Sequence, residues 1–209
     1  MPSNYDSIAK VYDQASRLVY GRQIVVAQVW LLEYIPTNSK ILIVGGGTGW
    51  ILEEIAKKYS EGLEIDYLES SAQMLILSRK RNCKNNVVNY IHQPVEFYVS
   101  VKQYDVIITP FLFDNFPKEA IDLVFEKLSE MLKDKGRWLF ADFIYEHNKS
   151  SLWQGFLLHT MYFFFRLVSQ IETQTLIDMK PYFTTHYRIE MEEFFYSGFI
   201  RSAVYRKGS

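Results

Sequence analysis

Gly45, Gly47 and Gly49 stand at alternate positions directly after the apolar, largely β-branched run Ile41-Leu42-Ile43-Val44. Glycine in an ordered segment costs conformational entropy unless the backbone needs it, so three in alternation mark a turn that takes positive φ or lets a ligand approach the main chain with no Cβ between them. Glu69 closes a second, loosely alternating stretch, 63–68. A carboxylate at the end of a strand next to such a turn can accept hydrogen bonds from two neighbouring hydroxyls. A third cluster is Pro110-Phe111-Leu112-Phe113-Asp114-Asn115-Phe116. Here Asp114 is placed to orient or deprotonate a nucleophile, or alternatively to cap the next helix, while Phe111 and Phe113 can wall a bound molecule. The last cluster, 152–168, holds His159, Tyr162 and Phe163 among other aromatics. His159 reads either as a proton acceptor or as a satisfied core histidine.

The elements that must position these groups follow from hydrophobic period. The run 41–44 has the continuous apolar character of a strand buried on both faces. Residues 51–59 read as a helix with Ile51, Leu52 and Ile55 on one face. Strands over 63–68, 87–91, 104–109 and 137–143, with helices over 71–81 and 117–133, continue the alternation, which predicts a doubly wound parallel α/β sheet. Ser60-Glu61-Gly62 and Asp134-Lys135-Gly136 read as turns. Residues 188–195 and 199–205 read as a hairpin turning at Ser197-Gly198. Upstream, Tyr5, Ile8, Ala9 and Tyr12 recur at helical spacing, and Tyr5 or Tyr12 is placed either to close the domain or to lie over the ligand. The stretch 152–168 is too short and too broken by Gln154, Gly155, His159 and Thr160 to span a membrane; it reads as a buried helix or a lid over an apolar pocket.

Composition excludes several classes. The 209 residues carry a formal net charge of −1 and form no long basic stripe, which argues against nucleic acid as a partner. One cysteine, Cys83, allows no internal disulfide, and four scattered histidines show no metal-ligand spacing. No metal is expected, and a cytoplasmic setting is. The expected organisation is a single domain: a helical cap over 1–36, a ligand-binding core over 37–145, and an aromatic helix with hairpin over 146–209.

The turn Gly45-Gly46-Gly47-Thr48-Gly49, the run Glu69-Ser70-Ser71-Ala72-Gln73-Met74-Leu75, and Tyr104-Asp105-Val106-Ile107 resemble motifs of class I S-adenosylmethionine-dependent methyltransferases. Tyr5-Asp6 with Ala9 and Tyr12-Asp13 is similar to the amino-terminal pattern of the ubiquinone/menaquinone-biosynthesis-like members. The resemblance implies a seven-stranded, mostly parallel sheet completed by an antiparallel carboxyl-terminal hairpin. It implies S-adenosylmethionine as cofactor, held by Tyr12, Gly45, Gly47, Gly49, Glu69 on the ribose, Ser70, Gln93, Pro94 and Val95 near the adenine, Thr109 and Phe111. Methyl transfer to a small hydrophobic or aromatic acceptor is the implied activity. Phe113, His159, Tyr162 and Phe163 are the candidate substrate residues, and Asp114 and His159 the candidate bases.

One departure keeps another function open. Relatives commonly carry an acid two residues before the first glycine, where this chain has Ile43; a methyltransferase-like module that binds partners without catalysis is therefore an alternative. A nicotinamide-dependent reductase is the third reading. Against it, a dinucleotide fingerprint wants a small residue where Trp50 stands, and Tyr59, Tyr67 and Tyr162 are followed four residues on by Leu63, Ser71 and Arg166 rather than by lysine.

Overall fold

The computed structural model describes residues 22–144 and 177–208. In chain order these form α1 (Gln23–Leu31), β1 (Lys40–Val44), α2 (Trp50–Lys58), β2 (Glu61–Glu69), α3 (Ala72–Ser78), β3 (Asn85–His92), β4 (Tyr104–Pro110), α4 (Lys118–Met131), β5 (Leu132–Phe143), the short α5 (Lys180–Phe183), β6 (Tyr187–Phe195) and β7 (Ile200–Lys207), with 3-10 turns at Leu32–Tyr34, Val95–Phe97 and Phe113–Asn115. The strands make one seven-stranded sheet in the order β3-β2-β1-β4-β5-β7-β6. Neighbours among β1 to β5 are parallel, and β7 runs antiparallel to both β5 and β6.

Strand alternation explains the two-layer core. Leu42 and Val44 of β1 point to one face, where α4 supplies Ile121, Val124, Phe125 and Leu128. Ile41 and Ile43 point to the other, against Leu31 of α1, Ile51 and Ile55 of α2, and Leu75 of α3. Because β1 is covered on both sides, it has no place for a polar side chain, and its four apolar residues are at most 2% exposed. The α4 face is unusually aromatic: Phe125 stacks on Trp138 at 5.0 Å and Phe183 on Tyr205 at 3.8 Å.

Several boundaries differ from the sequence reading. Strand β2 begins at Glu61 rather than after Gly62, because Gly62 (φ +90) is taken up as an irregularity in the β2–β3 pairing between Glu61 and Glu64. Strand β5 begins at Leu132, with Lys135 (φ +60) bending inside it and a register shift against β4; the expected turn at 134–136 is thus a kink in a long strand. Helix α3 stops at Ser78 instead of Arg81, since Lys80 and Arg81 close tighter turns onto Leu77 and Ser78. The helical cap up to residue 21 and the aromatic helix of 152–168 lie outside the described residues.

Candidate functional site

The order of the sheet places a switch at β1 and β4: from β1 the chain moves out to β2 and β3, and from β4 it moves the opposite way to β5. Two loops therefore diverge beyond the carboxyl ends of these strands and leave a crevice. The glycine turn lies on one side and the loop 111–117 on the other. They touch where Leu112 approaches Gly45, an ideal Cβ on which would lie 3.0 Å from Leu112 Cδ1.

The glycine turn is tied to β2 at three points. The Gly45 amide donates to the Leu68 carbonyl (2.9 Å), the Gly47 amide to Glu69 Oε2 (3.0 Å), and the Tyr67 hydroxyl to the Gly47 carbonyl (2.9 Å). Glu69 Oε1 accepts from the Ser71 amide at 2.9 Å, and Ser71 in turn caps α3 by accepting from the Met74 amide. The serine that caps is Ser71; Ser70 is exposed and its hydroxyl lies 3.5 Å from Glu69 Oε1. Burial pushes the Glu69 carboxyl up, and the amides of Ser71 and Gly47 and the groups of Ser70 hold it down, with burial prevailing. Oε2, bonded to the Gly47 amide, has a second lone pair for another donor.

The glycines divide their work in a way the spacing does not reveal. At Gly49, an added Cβ would sit 2.5 Å from Ser78 Cβ with φ at +78, so this glycine lets the start of α2 lie against the end of α3. Gly46, not singled out from the sequence, is as tight: its Cβ would meet Tyr67 Oη at 2.5 Å and the ring at 2.6 Å. Only at Gly47 is the nearest atom at ordinary contact distance, Met74 Sδ at 3.5 Å. Beside Glu69, Gly47 is the glycine of the turn with ordinary clearance, while Gly45, Gly46 and Gly49 lie closer to neighbouring atoms. Tyr67 was missed by the sequence reading. It stands beside Ile43 in the β1–β2 register and anchors the turn from the next strand, in the place where an acid on β1 would do so.

Gln93 and its neighbours come to the same end of the sheet. The Gln93 amide donates to the Glu69 carbonyl (3.2 Å), while its side-chain amide donates to the Phe97 carbonyl (2.9 Å) and holds the loop of Pro94 and Val95 in shape. Val95 is buried in the core. Thr109 is placed differently: it is fully buried and its hydroxyl accepts from Trp138 Nε1 at 2.9 Å, so its side chain serves the core face of β4. Phe111 has φ +52, a strained conformation for a bulky residue, and its ring packs on Phe143 at 4.8 Å. Phe113 is 2% exposed and packs among Phe125, Trp138 and Phe140, beneath the crevice.

Asp114 does not cap a helix; the residue preceding α4 is Pro117, and Asp114 lies within the 3-10 turn. Its Oδ1 accepts from Asn115 Nδ2 at 2.6 Å, and its buried Oδ2 has no hydrogen-bond partner among the described residues. Asp142, near the end of β5 and 3% exposed, accepts from the Phe113 amide (3.1 Å, Oδ2) and the Phe143 amide (2.9 Å, Oδ1). Burial first, then repulsion from Asp142, raises the Asp114 carboxyl well above its usual range; burial pushes Asp142 up to about 7. The backbone amides of Phe143, Phe113 and Asp114 work against that burial at Asp142. Tyr12, His159, Tyr162 and Phe163 lie outside the described residues. Among the described residues there is no group of three or more metal-ligating side chains, and no helix long and apolar enough to cross a membrane.

Residues 42–138 match a family model described as a methyltransferase domain. The malonyl-[acyl-carrier protein] O-methyltransferase of Halalkalibacterium halodurans is 33% identical over 149 residues, covering 67% of this chain and 53% of that protein. The chain spans about half the length of the curated relatives it matches. Among solved structures, the mitomycin 7-O-methyltransferase MmcR is similar with a TM-score of 0.70 at 12% identity, over 99% of this chain and 61% of that one. The DhpI–SAH complex is similar with a TM-score of 0.68 at 16% identity, over 98% of this chain and 93% of that one. At these identities the structural likeness speaks for the fold.

Proposed function

We propose that this chain, a class I S-adenosylmethionine-dependent methyltransferase by its domain match and its fold, moves the methyl group of S-adenosylmethionine to a small, largely apolar acceptor. The observation that carries the reading is the carboxylate of Glu69 held beside Gly47 at adjacent strand ends. It supplies an anchored acceptor for a pair of ribose hydroxyls next to a main chain that has no side chain at Gly47. The residues present fit the cofactor: Gly47 is open where a Cβ would meet only ordinary contact, and Glu69 Oε2 has a second lone pair.

The donor, when bound, supplies a methyl on a sulfonium sulfur, which is already a good leaving group. The protein is therefore left with alignment, desolvation and proton handling. Glu69 and the glycine turn fix the ribose end. Leu112, lying against Gly45, fixes the distance between that end and the acceptor side. Asp114 and Asp142 are the titratable groups on the acceptor side among the described residues, and Phe111 over Phe143 forms an apolar wall there. Asp114 is the candidate to meet the nucleophile.

Calorimetry with S-adenosylmethionine and S-adenosylhomocysteine, followed by incubation with methyl-labelled donor and a cell extract, tests the proposal. Heat with both ligands and a labelled small molecule are expected. Absence of heat with either ligand would instead favour the non-catalytic module, for which the missing acid at Ile43 is the specific support.

A further inference from the structure

The acceptor side of the crevice carries a feature that alignment alone does not require. A buried carboxyl oxygen with no hydrogen bond is costly, and a native structure holds one only where something else satisfies it. Among the described residues, Asp114 Oδ2 is such an atom. Its neighbour Asp142 accepts a backbone amide on each oxygen, one of them the amide of Phe113 just before Asp114. Asp142 thereby fixes the turn that carries Asp114, and the Asn115 side-chain amide holds Asp114 by its other oxygen. Among the described residues no lysine, arginine or histidine forms an ion pair with either acid, and the Asp114 carboxyl feels its own burial, the charge of Asp142 and a backbone amide.

We propose that the pair Asp114–Asp142 forms the polar end of the acceptor pocket and selects a neutral hydrogen-bonding group, such as a hydroxyl or a carbonyl, over a carboxylate. Asp114 Oδ2 makes the contact and Asp142 is a positioning residue. The inference rests on the methyltransferase reading and narrows its substrate class. Two acids buried together repel each other's charge, and a carboxylate brought beside them adds a like charge with no cation paired to either acid among the described residues. A neutral group gives Oδ2 the missing partner. This separates the chain from its relatives named for a malonyl group, which ends in a carboxylate: the same fold here is lined for an uncharged acceptor.

Three measurements test it. Calorimetry with S-adenosylhomocysteine first establishes the donor site, so that failure of the methyltransferase reading is seen separately. Infrared difference spectra of wild type against Asp114→Asn at neutral pH should show one protonated carboxyl that the substitution removes, and Asp142→Asn should shift that band without abolishing it. Finally, product labelled from methyl-labelled donor in a cell extract is treated with mild alkali, which releases methanol from carboxyl methyl esters but not from ethers or from N- or C-methyl groups. Stable label supports the selection, and label lost to alkali overturns it. Two ionised aspartates at neutral pH overturn the pair itself. Protein that binds S-adenosylhomocysteine and labels nothing counts against the transfer reaction, while the infrared band still decides the carboxyl pair.

Discussion

Substituting Gly46 by alanine probes the anchor of the glycine turn most directly. The new methyl would lie 2.5 Å from Tyr67 Oη, 2.6 Å from Cε2 and 2.7 Å from Cζ. Tyr67 has no exposed surface and cannot swing aside into solvent. Forcing a methyl into a packed site costs about 1–3 kcal/mol. Displacing the ring also breaks the Tyr67 hydroxyl bond to the Gly47 carbonyl and strands buried polar groups, about 1–3 kcal/mol more. The lower unfolded-state entropy of alanine returns less than about 1 kcal/mol. The net loss is about 2–5 kcal/mol, read as a fall in Tm of roughly 5–15 °C for a domain of this size. Urea unfolding of Gly46→Ala, of Tyr67→Leu and of the double variant measures it. Because the leucine removes the atoms that clash, the double variant should be more stable than the sum of the single losses predicts. A Gly46→Ala protein as stable as wild type, or a strictly additive cycle, would refute the placement of Tyr67 over the turn.

Glu69→Gln should weaken binding of S-adenosylhomocysteine by about 1–3 kcal/mol and also lower stability, because an amide cannot accept from both Gly47 and Ser71 without turning a donor toward a donor; calorimetry reads the first and thermal unfolding the second, and unchanged values for both would show that Glu69 holds neither. Asp114 and Asp142 bind their protons more tightly folded than unfolded, so their stabilising contribution is full below about pH 4 and declines as pH rises through about 7. Asp142→Asn should flatten that decline by at most about 4 kcal/mol, as followed by urea midpoints across pH. Asp66 has the opposite sign. Burial raises it, but bonds from Tyr104, Asn89 and Lys102 bring it below its usual value, so the stability it contributes disappears as pH falls through the acid range. An acid-unfolding curve unmoved in Asp66→Asn would contradict that balance.

The sheet was legible because its strands are written in a two-sided apolar code. Ile41 to Val44 and Val106 to Ile108 could be nothing but covered strands, and helices between them force parallel neighbours. Glu69 stands out as a charge at the end of β2, and the structure shows its carboxylate accepting the amides of Gly47 and Ser71. Less visible was anything decided by a partner far along the chain. Tyr67 reads as one more strand residue until its register beside Ile43 brings its hydroxyl to Gly47. Asp142 reads as a polar end to β5, and only the fold places it against Phe113 and Asp114. Thr109 shows the converse: its position suggested the crevice, but strand alternation turns its hydroxyl to Trp138. The early start of β5 was hidden because Asp134, Lys135 and Gly136 look like a turn, and a kink within a strand uses the same residues.

The place of β7 between β5 and β6 has a consequence for biosynthesis. Strand β5 is finished at Phe143, yet the strand that covers its free side begins only at Ile200. At translation rates of about 5–20 residues per second, that flank stays bare for several seconds, a row of unpaired amides and carbonyls beside an apolar surface. Nascent chains released early should therefore stick to one another edge to edge, and the ribosome-bound intermediate is the state in which a chaperone would have most to protect.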